Sequence, residues 1–414
     1  MQHPRVVIIG AGHGGIESAA ALRMLGHDAP ITIVGDEPEA PYARPPLSKA
    51  FLAGTALHSD VTLRNDEFFA RERIDLRVGT VVTALAPLRR EVRLENGEVL
   101  RYDKLILATG AVARMLPDPA ITTASNVHSL RTMGDAVRLR ERLRPGTRAT
   151  IIGGGYIGLE IAAAAQRAGV QVTLLEAADR VLARVTSEPV SDFFQRVHAE
   201  EGVEIITGAR ISGFGTGTGG DVTAVELSDG RMIGTDFVLV GIGVAPRTDL
   251  AEQAGILVDN GIVVNEFLQA SAPDVYAVGD VARHPCPQNG GLRRLESVPN
   301  ATENARTVAN HILGDERPHA ALPWFWSDQF DLKLQSVGLA VDIDDIVVRE
   351  YPEKPRKLAV FYLRGGRLVA ADVINSPADF AFAKKLVLQA QFVHADQLAD
   401  ASVSLKNLLA AVTP

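Results

Sequence analysis

The chain has 414 residues, 46% of them hydrophobic and 22% charged, with a formal net charge of −8. That length allows two or three domains with cores of their own, and the acidic balance excludes broad nucleic-acid binding. The single cysteine, Cys286, excludes an intrachain disulfide, a cysteine-rich metal site and an iron–sulfur cluster, and it fits a reducing cytoplasm.

The first predicted element is the apolar run Val6–Ile9, the pattern of a parallel strand buried on both faces. It starts too close to Met1 for a secretory signal, and no later stretch is apolar enough for a membrane span, so neither is expected. The run enters Gly10-Ala11-Gly12-His13-Gly14-Gly15, in which Gly10, Gly12 and Gly15 satisfy GxGxxG and open a small-residue helix. Such a turn brings backbone close to a pyrophosphate, and the helix N-terminus offers free N–H groups and a positive dipole end. The next strand, Ile31–Val34, ends in Gly35-Asp36-Glu37, where a ribose-binding acid is expected. Asp36 is preferred over Glu37, because Gly35 occupies the position nearest the strand end.

Three stretches read as returns to a sheet: Tyr102–Ala111, with Ala108-Thr109-Gly110 as its turn, Asp236–Arg247, and Asp274–Ala282, which ends in Gly279-Asp280. Between the first two lies a second strand–turn–helix unit. Strand Ala149–Ile152 enters Gly153, Gly155 and Gly158, and Val172–Leu175 is followed at once by Glu176. An acid there hydrogen-bonds a free ribose 2′-OH and repels a 2′-phosphate, which favours NADH over NADPH; Arg180 and Arg184 nearby weigh slightly the other way. Two complete units with different surroundings predict two different dinucleotides.

Among the remaining segments, Gly213–Asp221 reads as a tight loop between strands, and Arg138–Arg148 as a mostly solvated basic helix face. Glu296–Leu313 reads as a helix with Ser297 or Val298 at its cap and Pro299 in its first turn. Trp324 and Trp326 alternate with Phe325, so a strand would put both on one face. The ten histidines show no metal spacing, no hydrolase motif occurs, and no metal is expected.

The order GxGxxG, RPPLSK (Arg44–Lys49), ATG (Ala108–Gly110), a second GxGxxG, GxxP (Gly243–Pro246) and Gly279-Asp280 resembles the two-dinucleotide flavoproteins of the glutathione reductase type. RPPLSK, RLESVPNA (Arg294–Ala301) and PWFWSDQFDLKLQ (Pro323–Gln335) are similar to the NADH-dependent FAD ferredoxin reductases that feed cytochromes P450 and Rieske oxygenases. The resemblance spans essentially the whole chain. It implies an α/β fold with two Rossmann-like domains, the NADH domain (111–242) inserted into the FAD domain (1–110 and 243–317), followed by an α+β interface domain (318–414).

The resemblance places FAD on the first turn and NADH on the second. It adds Arg44, Val82, Ala108–Gly110, Asp280 and the backbone N–H of Val298 to the FAD site, and Gly243 to the NADH site. It implies that Lys49 lies beside the flavin ring, paired with Glu160 at the nicotinamide, and that Trp326 lies near the flavin at a ferredoxin-docking surface with Arg64, Arg306 and Lys384.

No C-x-x-C or C-x-x-x-x-C pair exists and Cys286 reads as an incidental loop thiol, so electrons must leave the flavin for an external acceptor. The implied acceptor is a [2Fe–2S] ferredoxin, met transiently by a cytoplasmic monomer or weak homodimer. Rubredoxin reduction, NADH oxidase activity, and a redox-sensing flavoprotein that acts through partner binding are the alternatives.

Overall fold

The computed structural model describes residues 3–288 and 290–410. The chain forms two compact units and passes between them several times. The first comprises Met1–Ala43, His58–Val112 and Ala245–Phe325; the second comprises Arg44–Leu57, Ala113–Val244 and Trp326–Pro414.

In the first unit, five parallel strands run in the order Val275–Ala277, Lys104–Leu107, Val6–Ile9, Ile31–Val34, Ile74–Arg77. The central strand is buried along its whole length, which is why its sequence is an unbroken apolar run. The order reverses direction on either side of Val6–Ile9, as in doubly wound sheets, so the carboxyl ends of the parallel strands form one edge. Helices His13–Met24 and Val298–Ile312 pack against each other. Ile8, Ile16, Leu22, Ile33, Ile106 and Val308 are all fully enclosed in this core. Each such side chain contributes about 1.5–3 kcal/mol over its exposed state. A small antiparallel sheet, Val82–Ala86 with Glu91–Leu94 and Val99–Arg101, completes the unit's strands around 82–101.

The second unit repeats the parallel architecture in the order Glu204–Ile206, Gln171–Leu175, Arg148–Ile152, Phe237–Val240, Val127–His128. It also carries an antiparallel sheet, ordered Trp324–Gln329, Leu332–Gly338, Arg367–Ile374, Leu358–Arg364, Asp345–Glu350. One apolar core serves both sheets: Leu174, Phe194 and Val197 belong to the same buried cluster as Leu332, Leu334, Val360 and Ile374. Leu52 joins that cluster, so the segment after RPPLSK packs with the second unit.

Two local expectations change. Gly213–Thr216 is strand rather than loop, because Ile211–Thr216 pairs with Val222–Leu227 across two bulges and only the residues after Thr216 turn. The basic run Arg138–Arg148 is helical only to Arg140; the chain then turns at Pro145-Gly146, and Arg148 opens a strand with its guanidinium on Asp236. The helix expected over Glu296–Leu313 is Val298–Ile312, with Ser297 as N-cap accepting from Asn300 N–H at 3.2 Å. Cys286 lies in a loop, as expected, and is buried there. Among the described residues, no cluster of His, Cys, Asp and Glu has the arrangement of a metal site, and no helix is long and apolar enough to cross a membrane.

Burial lowers His128, His198 and His319 from 6.5 to about 4. Unfolded, each takes up a proton near 6.5; folded, each stays neutral until about 4. As pH falls through that window only the unfolded state gains the proton, so each histidine withdraws stability there and the loss levels off below it. His128 Nε2 is buried with no hydrogen-bond partner, which makes it the simplest to test. His128→Leu should gain stability over the native chain as pH falls below about 6, by up to about 1.4 kcal/mol per pH unit. Denaturant titrations at pH 7, 6 and 5 measure this; a difference constant over that range would contradict it.

Candidate functional site

The carboxyl edge of the first unit's sheet carries Gly10, Ala108–Gly110 and Gly279-Asp280 on neighbouring strands. Gly10 has φ +109°, and a Cβ there would lie 2.1 Å from the Ala108 carbonyl oxygen, so this strand end admits only glycine. A Cβ at Gly15 would lie 1.9 Å from the Gly10 carbonyl, which is how the helix comes down onto the strand. Gly12 has open space where its side chain would be and caps the helix without a side-chain bond, and no acid stands in the first turn. A glycine turn that opens a helix with no side-chain cap and no acid in its first turn suits phosphate oxygens.

The second unit has the same construction. Gly153 has φ +110° and its Cβ would lie 2.4 Å from the Gly241 carbonyl; Gly158 approaches the Gly153 carbonyl, and Gly155 faces open space. The helix Tyr156–Arg167 also begins with no side-chain cap and no acid in its first turn. Both turns fit a dinucleotide pyrophosphate.

The acids at the two turns differ for a steric reason. Glu176 turns back onto its own glycine turn: Oε2 accepts from Gly154 N–H at 2.6 Å and Oε1 from Ala178 N–H at 2.8 Å. A methyl on Gly154 would approach that carboxylate to 3.1 Å. In the first unit Ala11 has that methyl, and a Cβ at Gly35 would meet Ala11 Cβ at 2.7 Å. Ala11 with Gly35, and Gly154 with Glu176, are thus two complementary ways to fill one position. The acid in the first unit moves one residue on. Asp36 accepts from Arg247 Nη1 at 2.7 Å, and Glu37 accepts from the Tyr42 hydroxyl. Arg180, one of the cations near Glu176, donates to Ser191 Oγ and the Ala183 carbonyl instead.

Around the first turn, Thr109 Oγ1 donates to the Arg247 carbonyl at 2.7 Å, and Arg247 N–H donates to the Gly110 carbonyl. Asp280 lies in the short turn Gly279–Val281, Val82 opens its strand, and Val298 is the first residue of its helix. Around the second turn, Arg114 N–H donates to the Gly243 carbonyl at 3.0 Å. Arg44 donates to the Arg131 carbonyl within the second unit. Trp326 is half-buried in the strand Trp324–Gln329 and Lys384 is half-buried on the helix Pro377–Gln389.

Two of the cations named for docking have acidic neighbours. Arg64 Nη2 donates to Glu17 at 2.9 Å and its guanidinium lies over Phe68, while Arg306 pairs with Glu303 at 2.6 Å. Their field is that of ion pairs rather than of free charges.

Lys49 and Glu160 meet. Lys49 Nζ donates to Glu160 Oε2 at 2.7 Å, Ser48 Oγ donates to the same oxygen, and Ser327 Oγ donates to Oε1 at 2.6 Å. Glu160 is 3% exposed, so it depends on these donors; removing one partner of a buried ion pair costs about 3–5 kcal/mol. Arg247, Ser48 and Ser327 are absent from the residues singled out in the sequence. Ser48 does lie within RPPLSK and Ser327 within PWFWSDQFDLKLQ, and Arg247 directly follows GxxP.

Residues 4–305 match the family described as pyridine nucleotide-disulphide oxidoreductase, and residues 324–409 match the reductase C-terminal family. The chain is 45% identical to putidaredoxin reductase CamA of Pseudomonas putida over 409 residues, covering 98% of this chain and 97% of the relative. It is 42% identical to the 5,5'-dehydrodivanillate O-demethylase ferredoxin reductase subunit of Sphingobium sp., covering 99% and 100%. Among solved structures, the covalent putidaredoxin reductase–putidaredoxin complex superposes with a TM-score of 0.95 at 45% identity, covering 99% of this chain and 98% of that one. The ferredoxin reductase for the CYP199A2 system from Rhodopseudomonas palustris superposes with a TM-score of 0.93 at 37% identity, covering 98% and 99%.

The reciprocal fit at the two turns is testable. Gly35→Glu should weaken retention of the first turn's dinucleotide by about 5- to 150-fold, the scale of overpacking by about 1–3 kcal/mol. Ala11→Gly in the same chain should restore most of that loss. Nucleotide absorbance per protein after dialysis measures it; a double variant no better than Gly35→Glu would contradict the steric account.

Proposed function

This chain belongs to the pyridine nucleotide-disulphide oxidoreductase family, and on that premise we propose that it oxidises NADH through bound FAD and delivers electrons one at a time to a [2Fe–2S] ferredoxin supplying a cytochrome P450 or Rieske oxygenase. The observation that carries the reading is the pairing of two dinucleotide turns with the lack of a redox cysteine pair. The single thiol, Cys286, is buried. The names of the relatives support the same acceptor: they include reductases of P450-type and dioxygenase systems and an anthranilate 1,2-dioxygenase ferredoxin reductase component.

When bound, FAD supplies a two-electron acceptor that releases electrons singly. The chain's own residues bind, orient and tune. Gly10, Gly12 and Gly15 seat the FAD pyrophosphate on the helix N-terminus, Asp36 and Arg44 hold its adenosine half, and Asp280 takes the ribityl chain. The N-terminus of Val298–Ile312 presents the Val298 N–H and a positive dipole end to the pyrimidine edge. Gly153, Gly155, Gly158 and Gly243 seat NADH, and Glu176 selects the free 2′-OH. Lys49 and Glu160 orient the nicotinamide, and Trp326, Arg64, Arg306 and Lys384 meet the ferredoxin. In this reading residues 1–110 with 243–317 serve FAD, 111–242 serve NADH and 318–414 form the interface domain of a cytoplasmic protein.

Anaerobic stopped-flow mixing tests the reading. NADH should bleach the flavin within seconds, and a [2Fe–2S] ferredoxin added next should be reduced as the yellow colour returns. Bleaching without reduction of any ferredoxin, together with fast peroxide formation in air, would move the function to an oxidase.

A further inference from the structure

The hydrogen bonds that reach Glu160 do not stop at Ser327. Ser327 Oγ accepts from Gln329 Nε2 at 3.1 Å, and Gln329 Oε1 lies 2.9 Å from His198 Nε2. Ser327, Gln329 and His198 are 0%, 1% and 0% exposed, so water does not compete for these groups. The direction of the chain follows from the donors available. Ser327 has one proton and gives it to Glu160 Oε1, so towards Gln329 its oxygen must accept. That turns the amide nitrogen to Ser327 and the amide oxygen to His198, whose Nε2 must then donate. Burial holds His198 down at about 4, so it enters as the neutral Nε2–H form, and Nδ1 is left buried without a partner. Every donor in the series therefore points the same way, towards the Glu160 carboxylate, and donors in such a series polarise one another.

The turn after Gln329 is built to hold it there. Phe330 has φ +51°, a conformation an aromatic side chain adopts only when its surroundings impose it. Its ring stands edge-on to His198 at 4.9 Å, with the Arg167 guanidinium 5.6 Å away on the ring. His198 thus grips the hairpin through Gln329 and through Phe330.

We propose that Ser327, Gln329 and His198 are positioning residues for the Lys49–Glu160 pair, forming a one-directional hydrogen-bond chain that fixes the carboxylate at the nicotinamide and anchors the strand carrying Trp326. Lys49 and Ser48 hold Oε2 from one side and the chain holds Oε1 from the other, so the carboxylate plane has one orientation. The proposal rests on the reading that Glu160 faces the nicotinamide.

The test uses the FAD-loaded protein with Glu160→Gln, Ser327→Ala, His198→Leu and His198→Gln, the last of which restores an N–H donor near Nε2. Two readouts are taken: the limiting rate of flavin reduction by NADH, and NAD+ affinity of the dithionite-reduced protein from its long-wavelength absorbance. Ser327→Ala should slow reduction about tenfold and weaken NAD+ binding in step, as expected for a lost hydrogen bond to a charged group. His198→Leu should do the same more weakly, about threefold, and His198→Gln should return to the native values. The Ser327→Ala/His198→Leu double variant should be no slower than Ser327→Ala, because one chain is broken twice. Normal rates and NAD+ affinity in Ser327→Ala, with Glu160→Gln impaired, would overturn the proposal; so would additive effects of the two changes. If His198→Leu does not fold, Ser327→Ala and His198→Gln decide the matter. A normal Glu160→Gln would instead refute the placement of Glu160.

Discussion

The contact on which the rest of the structure depends is the meeting of a strand-end glycine with a neighbouring backbone carbonyl, made twice. Gly10 against Ala108 and Gly153 against Gly241 leave no room for a Cβ. Gly15 and Gly158 let each following helix drop onto its strand, and each helix begins without a side-chain cap. The parallel sheets, the burial of their central strands and the placing of acids and glycines at the carboxyl edges all serve that geometry. The two copies then diverge in one exchange of volume, Ala11 with Gly35 against Gly154 with Glu176. That exchange moves the acid by one residue and leaves the two turns chemically different.

The second unit adds a buried ion pair to this frame. Glu160 rises from the helix that the second turn starts, and its partners come from Ser48-Lys49 and from Ser327. Both partner segments are seated in the core that the parallel sheet shares with the antiparallel sheet of residues 324–374, through Leu52, Leu332 and Leu334. The C-terminal sheet therefore does more than cover a surface. It contributes a hydroxyl to a carboxylate that has no exposure of its own to spare. A buried charge of this kind is stable only while all its donors stay in place, which ties the precision of the site to the packing of the hairpin after Trp326.

Much of this was legible in the amino-acid order, for physical reasons. Strands buried on both faces must be apolar runs, so Val6–Ile9 stood out with its bounds. Turns that admit no Cβ must be glycine, and Ser297-Val298-Pro299 is a helix start written in capping residues. Contacts between residues distant in the chain left no such mark. Arg247 reaches Asp36 across 211 positions and Ser327 reaches Glu160 across 167, and neither residue type announces its partner. The pairs Arg64–Glu17 and Arg306–Glu303 left no such mark either, because Glu17 and Glu303 read as ordinary helix-surface acids until the side chains are placed. Gly213–Thr216 looked like a loop because strand pairing with Val222–Leu227, not propensity, holds it extended.

Filling each open glycine in turn separates the roles of the two turns. Gly12→Val and Gly155→Val put a side chain where nothing now lies within 4 Å. Gly12→Val should purify colourless, whereas Gly155→Val should retain FAD, be bleached by dithionite and not be bleached by NADH. Loss of flavin from Gly155→Val, or a yellow Gly12→Val that NADH still reduces, would contradict this.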